Sequence, residues 1–362
     1  MDYEVILKEQ MDNVLNGEEF GTISEEAFRL SEGISDPFTL ENILNSTLHG
    51  ESIFQNSQMI GSFKELLLYE LQTTLIIAAE IISICIIMGL MKSLSESFKT
   101  KSVSQLTIMV CVMVIMGISL NSFKLSYQLV IDTVSTMVYT MEILLPVLIG
   151  ILLATGAAAS GTILSPLIIG SVTGFAVITK TIIIPALFIS GTLSLINCLT
   201  EKDYVNKLAK FLRSAAVFLI GLILTVLTGI ITLQGLLTET ADGLLINTAK
   251  YSISSFIPIV GGFTSDTVDL FLRCMGSIKS VIGVFGILML ILMMAVPLIK
   301  VILIGVIYKL TAAFTEPVTD SRISDGINDM GSCMILLASI LFFTSLLFII
   351  FISVIMGIGG SL

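Results

Sequence analysis

From residue 66 onward this chain is a succession of long apolar blocks separated by short charged links. Residues 71–91 and 104–120 each approach the ~20 apolar residues that a helix needs to cross a bilayer. Further crossings are expected at 181–199, 215–233, 281–313 and 334–358. Between the second and third of these the pattern changes twice. Residues 121–142 mix Lys124, Asp132 and Glu142 with apolar positions, as a helix lying at the interface would. Residues 143–199 then hold a single charge, Lys180, and are interrupted by Pro146, by the small-residue run Gly156 to Gly161, by Pro166 and by Pro185. Arms at 143–155 and 162–178 around that run are expected to form a re-entrant hairpin or a paired in-and-out crossing.

The later part repeats this order. At one offset of 112 residues, Thr136, Tyr139, Pro146, Gly150, Gly174 and Pro185 are matched by Thr248, Tyr251, Pro258, Gly262, Gly286 and Pro297. The prolines and tyrosines carry the match, because apolar segments coincide easily by chance. Two parallel repeats are therefore expected, about 104–199 and 215–313. Broken-helix or hinge positions are expected at Pro146, Gly150, Pro185, Pro258, Gly262 and Pro297. The second hairpin, 256–280, contains Asp266, Asp269, Arg273 and Lys279, which is too polar to meet lipid.

Composition agrees with a membrane protein. Apolar residues make up 55% of the chain, charged residues 13%, and the mean hydropathy is +1.01. Charge adds a division that hydropathy alone does not give. Residues 1–65 carry 13 acids and three bases, which equals the net charge of -10 of the whole chain, while the remaining 297 residues balance at 15 of each sign. An acidic head over 1–65 and a neutral membrane body over 66–362 follow. In the head, Thr22 to Glu25 has capping-box spacing and Asp36-Pro37 opens a second amphipathic helix that Gly50 stops. The first thirty residues lack a basic start followed by an apolar run, so no signal peptide is expected in this stretch.

Lysine and arginine in the links 92–103 and 200–213 place those links in the cytoplasm, and repetition places 314–333 there too. The head, both hairpins and the C-terminus then face outward. The head's acidity argues against nucleic acid as a partner, leaving the lipid bilayer and other proteins.

Little in the chain suggests catalysis. There is one histidine, His49, the five cysteines are scattered, and no phosphate loop or nucleophile motif occurs, so no catalytic residue, metal site or cofactor is expected. Ionisable residues inside apolar blocks are the candidates for function, because charge in lipid is costly unless it faces a bundle interior or cavity. They are Glu80, Lys180 and Lys300. Lys180 can snorkel to the outer interface, whereas Glu80 and Lys300 suit a polar pathway or a mutual ion pair beside Pro297.

Several stretches resemble one known family. Leu48-His49-Gly50-Glu51, Ser95-Glu96-Ser97-Phe98, LLPVLIGILLATGAAAS, TADGLLINTAKYSISSFIPIVGG, Pro297 with Tyr308-Lys309-Leu310, and the glycine-rich end are similar to the stage III sporulation protein AE family from about residue 36 onward. The resemblance implies a multi-pass protein of endospore formers, made in the mother cell and placed in the outer forespore membrane. There it would belong to the stage III A assembly, a transenvelope channel or feeding apparatus with membrane and ring-forming components. Members usually begin with a signal sequence, and no catalytic residues come with the resemblance. The expected fold is all-α and polytopic. The expected role is to form or gate a path or to anchor ring-forming partners, with an independent secondary transporter and a purely structural scaffold as the alternatives.

Overall fold

The computed structural model describes Gly21, Thr22, Glu25 and Arg29 near the N-terminus and, beyond them, residues 57–98, 101–154, 158–198, 205–256 and 261–358. All secondary structure among the described residues is helical. The helices are α1 Ser57–Phe98, α2 Lys101–Ala154, α3 Ala158–Ile178, a π-helical turn Thr179–Ile183, α4 Ile184–Cys198, α5 Asn206–Phe256, α6 Gly261–Thr315 and α7 Ser321–Gly357. Six stretches are long and apolar enough to cross a membrane: Glu70–Met91, Leu106–Ala154, Pro166–Cys198, Asn206–Ile230, Met275–Thr315 and Ser321–Gly357. The acidic second helix expected at 36–50 lies outside the described residues. Gly21 and Thr22 are already helical, so Thr22 sits inside a helix instead of capping one. α1 runs unbroken across the expected head–body boundary at 65–66.

α6 and α7 form the centre of the molecule. They are antiparallel, joined by a tight turn over residues 316–320, and their contact is the most extensive in the bundle. Two glycines allow it. A Cβ built on Gly331 would lie 2.7 Å from the Gly305 carbonyl oxygen, so the backbones touch there and only glycine fits. α2 and α4 pack onto this hairpin, and α1 and α5 stand at the periphery: 56% of the apolar window of α7 is buried, against 28% for α1 and 11% for α5. The C-terminal ends of α1, α4 and α6 gather at one end of the bundle. Gly89 sits against Val318 there, and the Cys198 thiol donates to the Arg322 carbonyl at 3.4 Å.

Several expected breaks are not breaks. α2 is one helix of 54 residues, about 80 Å at 1.5 Å per residue, and it runs straight through Pro146 and Gly150. Proline removes one backbone bond and crowds the preceding turn. Here the buried neighbours Leu144, Leu145, Leu148 and Ile149 pin the helix to the core on both sides of it. The same holds for Pro297, buried inside the 55-residue α6. Residues 121–142 consequently do not lie along an interface but stand upright in the bundle, with Phe123 stacked on Phe188 of α4 and Leu144 against Gly286 of α6.

Both expected hairpins turn out to be the ends of long helices. Residues 143–154 belong to α2 and 162–178 to α3, and of the stretch 256–280 Phe256 ends α5 while 261–280 are the first turns of α6. Pro258 lies outside the described residues, and Gly262 is in the first turn of α6. Pro185 alone coincides with a disturbed helix among the described candidates. It follows the π-helical turn, in which the Ile184 N–H reaches back to the Thr179 carbonyl, and the widened turn makes room for the proline ring.

Candidate functional site

Among the described residues, two ion pairs each tie a peripheral helix to the central hairpin. Lys300 on α6 places Nζ 3.1 Å from Glu70 Oε1 on α1, with the two side chains 15% and 11% exposed. Lys300 follows Pro297 by three residues in a segment with buried Val296 and Val301, so its long stem starts in the core and its ammonium must find a partner there. Glu70 opens the apolar part of α1, one turn before Thr74, whose hydroxyl donates to the Glu70 carbonyl at 2.7 Å. The carboxylate that meets Lys300 is thus that of Glu70, whereas the sequence offers Glu80 as a partner in one of two readings. Glu80 lies ten residues further along α1, about 15 Å by helical rise, and is exposed among outward-facing Ile76, Ile86 and Ile87.

The second set joins α4, α5 and α7. Arg213 Nη1 donates to Asp329 Oδ1 at 3.0 Å, and its Nη2 reaches both Ser194 Oγ and the Asp329 carbonyl at 3.4 Å. Ser194 Oγ in turn donates to Asp329 Oδ2 at 3.2 Å. A planar guanidinium suits this shared arrangement, because its fixed fork can contact two residues at once. One turn away, the Ser190 hydroxyl donates to the Ala209 carbonyl at 2.7 Å, a second polar tie between α4 and α5. None of Glu70, Arg213, Ser194 and Asp329 stands out in the sequence, since Glu70 borders the first apolar block and Arg213 and Asp329 fall in what read as links. Charge complementarity was the available signal: the 200–213 link is basic and the 314–333 link is acidic, and the two lie at the same end of the bundle.

The remaining candidates are dispersed. Lys180 sits half-buried on the π-helical turn. Asp266, Asp269 and Arg273 lie on the first turns of α6, on a helix and not on a separate hairpin. Lys279 is 2% exposed and donates to the Ile358 carbonyl at the end of α7. That contact puts a cation at the negative end of a helix dipole and closes the open end of the α6–α7 hairpin.

The sequence profile of the stage III sporulation protein AE family matches residues 38–359. This chain belongs to that family. It is 26% identical over 324 residues to the stage III sporulation protein AE of Bacillus subtilis (strain 168), covering 90% of this chain and 81% of that protein. No solved structure matches it. Family membership brings a sporulation role and a multi-pass membrane protein to the bundle described above, and it leaves to the geometry what the nearly buried charges do.

Proposed function

We propose that this chain is a membrane subunit of the mother cell to forespore transenvelope apparatus required for endospore formation, and that its part is to form or gate a path, not to catalyse a reaction. The observation that carries this reading is the Glu70–Lys300 pair. A cation and a carboxylate kept at membrane depth are costly for a pure scaffold, which gains nothing that apolar packing of similar volume would not supply. The second network supports it by fastening the other peripheral helix through charge as well, so that α1 and α5 could each shift when their ion pair opens.

On this proposal the protein sits in the outer forespore membrane with its acidic head outside the cytoplasm, and its partners are the other stage III A proteins, both membrane-embedded and ring-forming. The gathered ends of α1, α4 and α6 then face the mother-cell cytoplasm. The test is to tag the full chain, follow it in sporulating cells, and purify it with its neighbours after gentle crosslinking. Enrichment around the forespore together with recovery of stage III A proteins is expected. Uniform distribution with no such recovery, or solute flux by the purified chain alone in liposomes, would overturn the proposal in favour of an independent transporter.

A further inference from the structure

One face of α2 conflicts with a lipid environment. Asn121, Lys124, Gln128, Asp132, Tyr139 and Glu142 are all exposed and recur at three- and four-residue spacing, with half-buried Ser135 and Thr136 between them and Leu125 at the edge. The face spans about 30 Å by helical rise, close to the thickness of the hydrocarbon core. Its depth is fixed at both ends by contacts. Phe123 stacks on Phe188 with ring centroids 5.3 Å apart, and the neighbouring outward residue on α4 is Ile189. At the other end Leu144 meets Gly286, which also touches Ile352 of α7, and the outward residues of α7 there are Leu346 and Ile350. At the same depth, then, α4 and α7 turn isoleucine and leucine outward while α2 turns three charges, two amides and a phenol outward. Charged and amide side chains at that depth face water or protein, not lipid.

The chain itself supplies a cover. Thr22 and Arg29 of the N-terminal segment line a cavity of about 470 Å³ together with Asp132, Ser135, Thr136 and Tyr139. We propose that the Asn121–Glu142 face of α2 lines a hydrated groove at membrane depth, walled beside Asp132 and Tyr139 by the part of the chain that carries Thr22 and Arg29. The Ser135 and Thr136 hydroxyls are committed to the Ile131 and Asp132 carbonyls at 2.7 and 3.1 Å, and the charges of Asp132 and Arg29 and the phenol of Tyr139 give this part of the groove its polarity. The inference deepens the path-forming reading and rests on it.

The experiment uses the full chain with its five cysteines replaced by serine or alanine and single cysteines returned at Lys124, Gln128 or Asp132, with Leu222→Cys and Leu346→Cys as outward controls. In intact membranes, water-soluble thiosulfonates are expected to modify the three face positions and not the controls. A short bis-thiosulfonate is expected to join Thr22→Cys to Tyr139→Cys within one chain. Face positions that react no faster than Leu222→Cys and Leu346→Cys would overturn the groove, and labelled face positions without the intrachain link would overturn the N-terminal segment as its wall. Absence of labelling in a chain that still recovers stage III A partners removes the groove and leaves the assignment to the apparatus standing.

Discussion

Lys300 Nζ lies 3.1 Å from Glu70 Oε1, so α6 and α1 share one nearly buried ion pair. This contact adds charge to the apolar packing of Ile81, Cys85 and Met88 that holds a peripheral helix in the bundle, while other residues of α1 such as Leu75, Ile76 and Leu90 turn outward. Lys300→Met leaves the Glu70 carboxylate without that cation. Breaking a buried pair from one side costs about 3–5 kcal/mol, whereas replacing both members with apolar residues is often neutral or better. Unfolding midpoints in detergent should fall for Lys300→Met and recover most of the loss in Glu70→Met/Lys300→Met. Equal losses in the single and the double variant would show that the pair is not coupled.

Arg213 contacts Asp329 and Ser194 through two different guanidinium nitrogens. Arg213→Lys keeps the charge and loses the fork, so about 1–2 kcal/mol of destabilisation is expected, against roughly twice that for Arg213→Gln. Ser194→Ala should cost about 1 kcal/mol. Chemical denaturation of purified protein checks the order. If Arg213→Lys behaves as wild type, the network is held by charge alone.

The approach of Gly305 to Gly331 predicts a sharp positional contrast. A Cβ at Gly331 would lie 2.7 Å from backbone oxygen, so even Gly331→Ala should separate the α6–α7 hairpin at a cost of about 1–3 kcal/mol and lower the yield of monodisperse protein. Gly229 on α5 has nothing within 4 Å of the same built atom, and Gly229→Ala should be neutral or slightly stabilising. Size-exclusion profiles of the two variants side by side decide the matter.

Lys279 donates to the Ile358 carbonyl at the last turn of α7. Lys279→Met should leave that turn to fray, with amide exchange rising there by about tenfold and little change around Met334 and Leu341 in the middle of the helix. Exchange that is unchanged at the end of α7 would assign Lys279 to packing alone.

Much of the architecture was legible from hydropathy. Apolar runs of bilayer length predicted the spans, and the small-residue run at Gly156 to Gly161 lies where α2 gives way to α3. Helix continuity was not legible, because Pro146 and Pro297 look the same in sequence as Pro185. What separates them is tertiary: buried leucines hold α2 on both sides of Pro146, while the helix around Pro185 relaxes into a π-turn. The paired prolines of the 112-residue echo therefore stand in different local structures, Pro185 beside a π-turn and Pro297 in a plain α-helix. Lys300 was recognisable as an intramembrane charge, but its partner was not, because the sequence places Glu80 mid-span and Glu70 at the margin. Only the tilt and register of α1 against α6 choose between them. The amphipathic pattern of 121–142 was correct as a pattern, and its placement changed once α2 proved to be a single upright helix.

The claim that charge held at membrane depth serves the sporulation role is tested most directly by a swap. Glu70→Lys and Lys300→Glu each put two like charges in one buried site, and the double variant restores the pair in reverse. Heat-resistant spore counts in a strain whose only copy is the variant should fall at least about a hundredfold for each single change and return to within about tenfold of wild type for the double, with chain levels in the membrane fraction measured in parallel. Single variants that are present at normal levels and sporulate normally, or a double variant no better than its parents at equal abundance, would contradict the account.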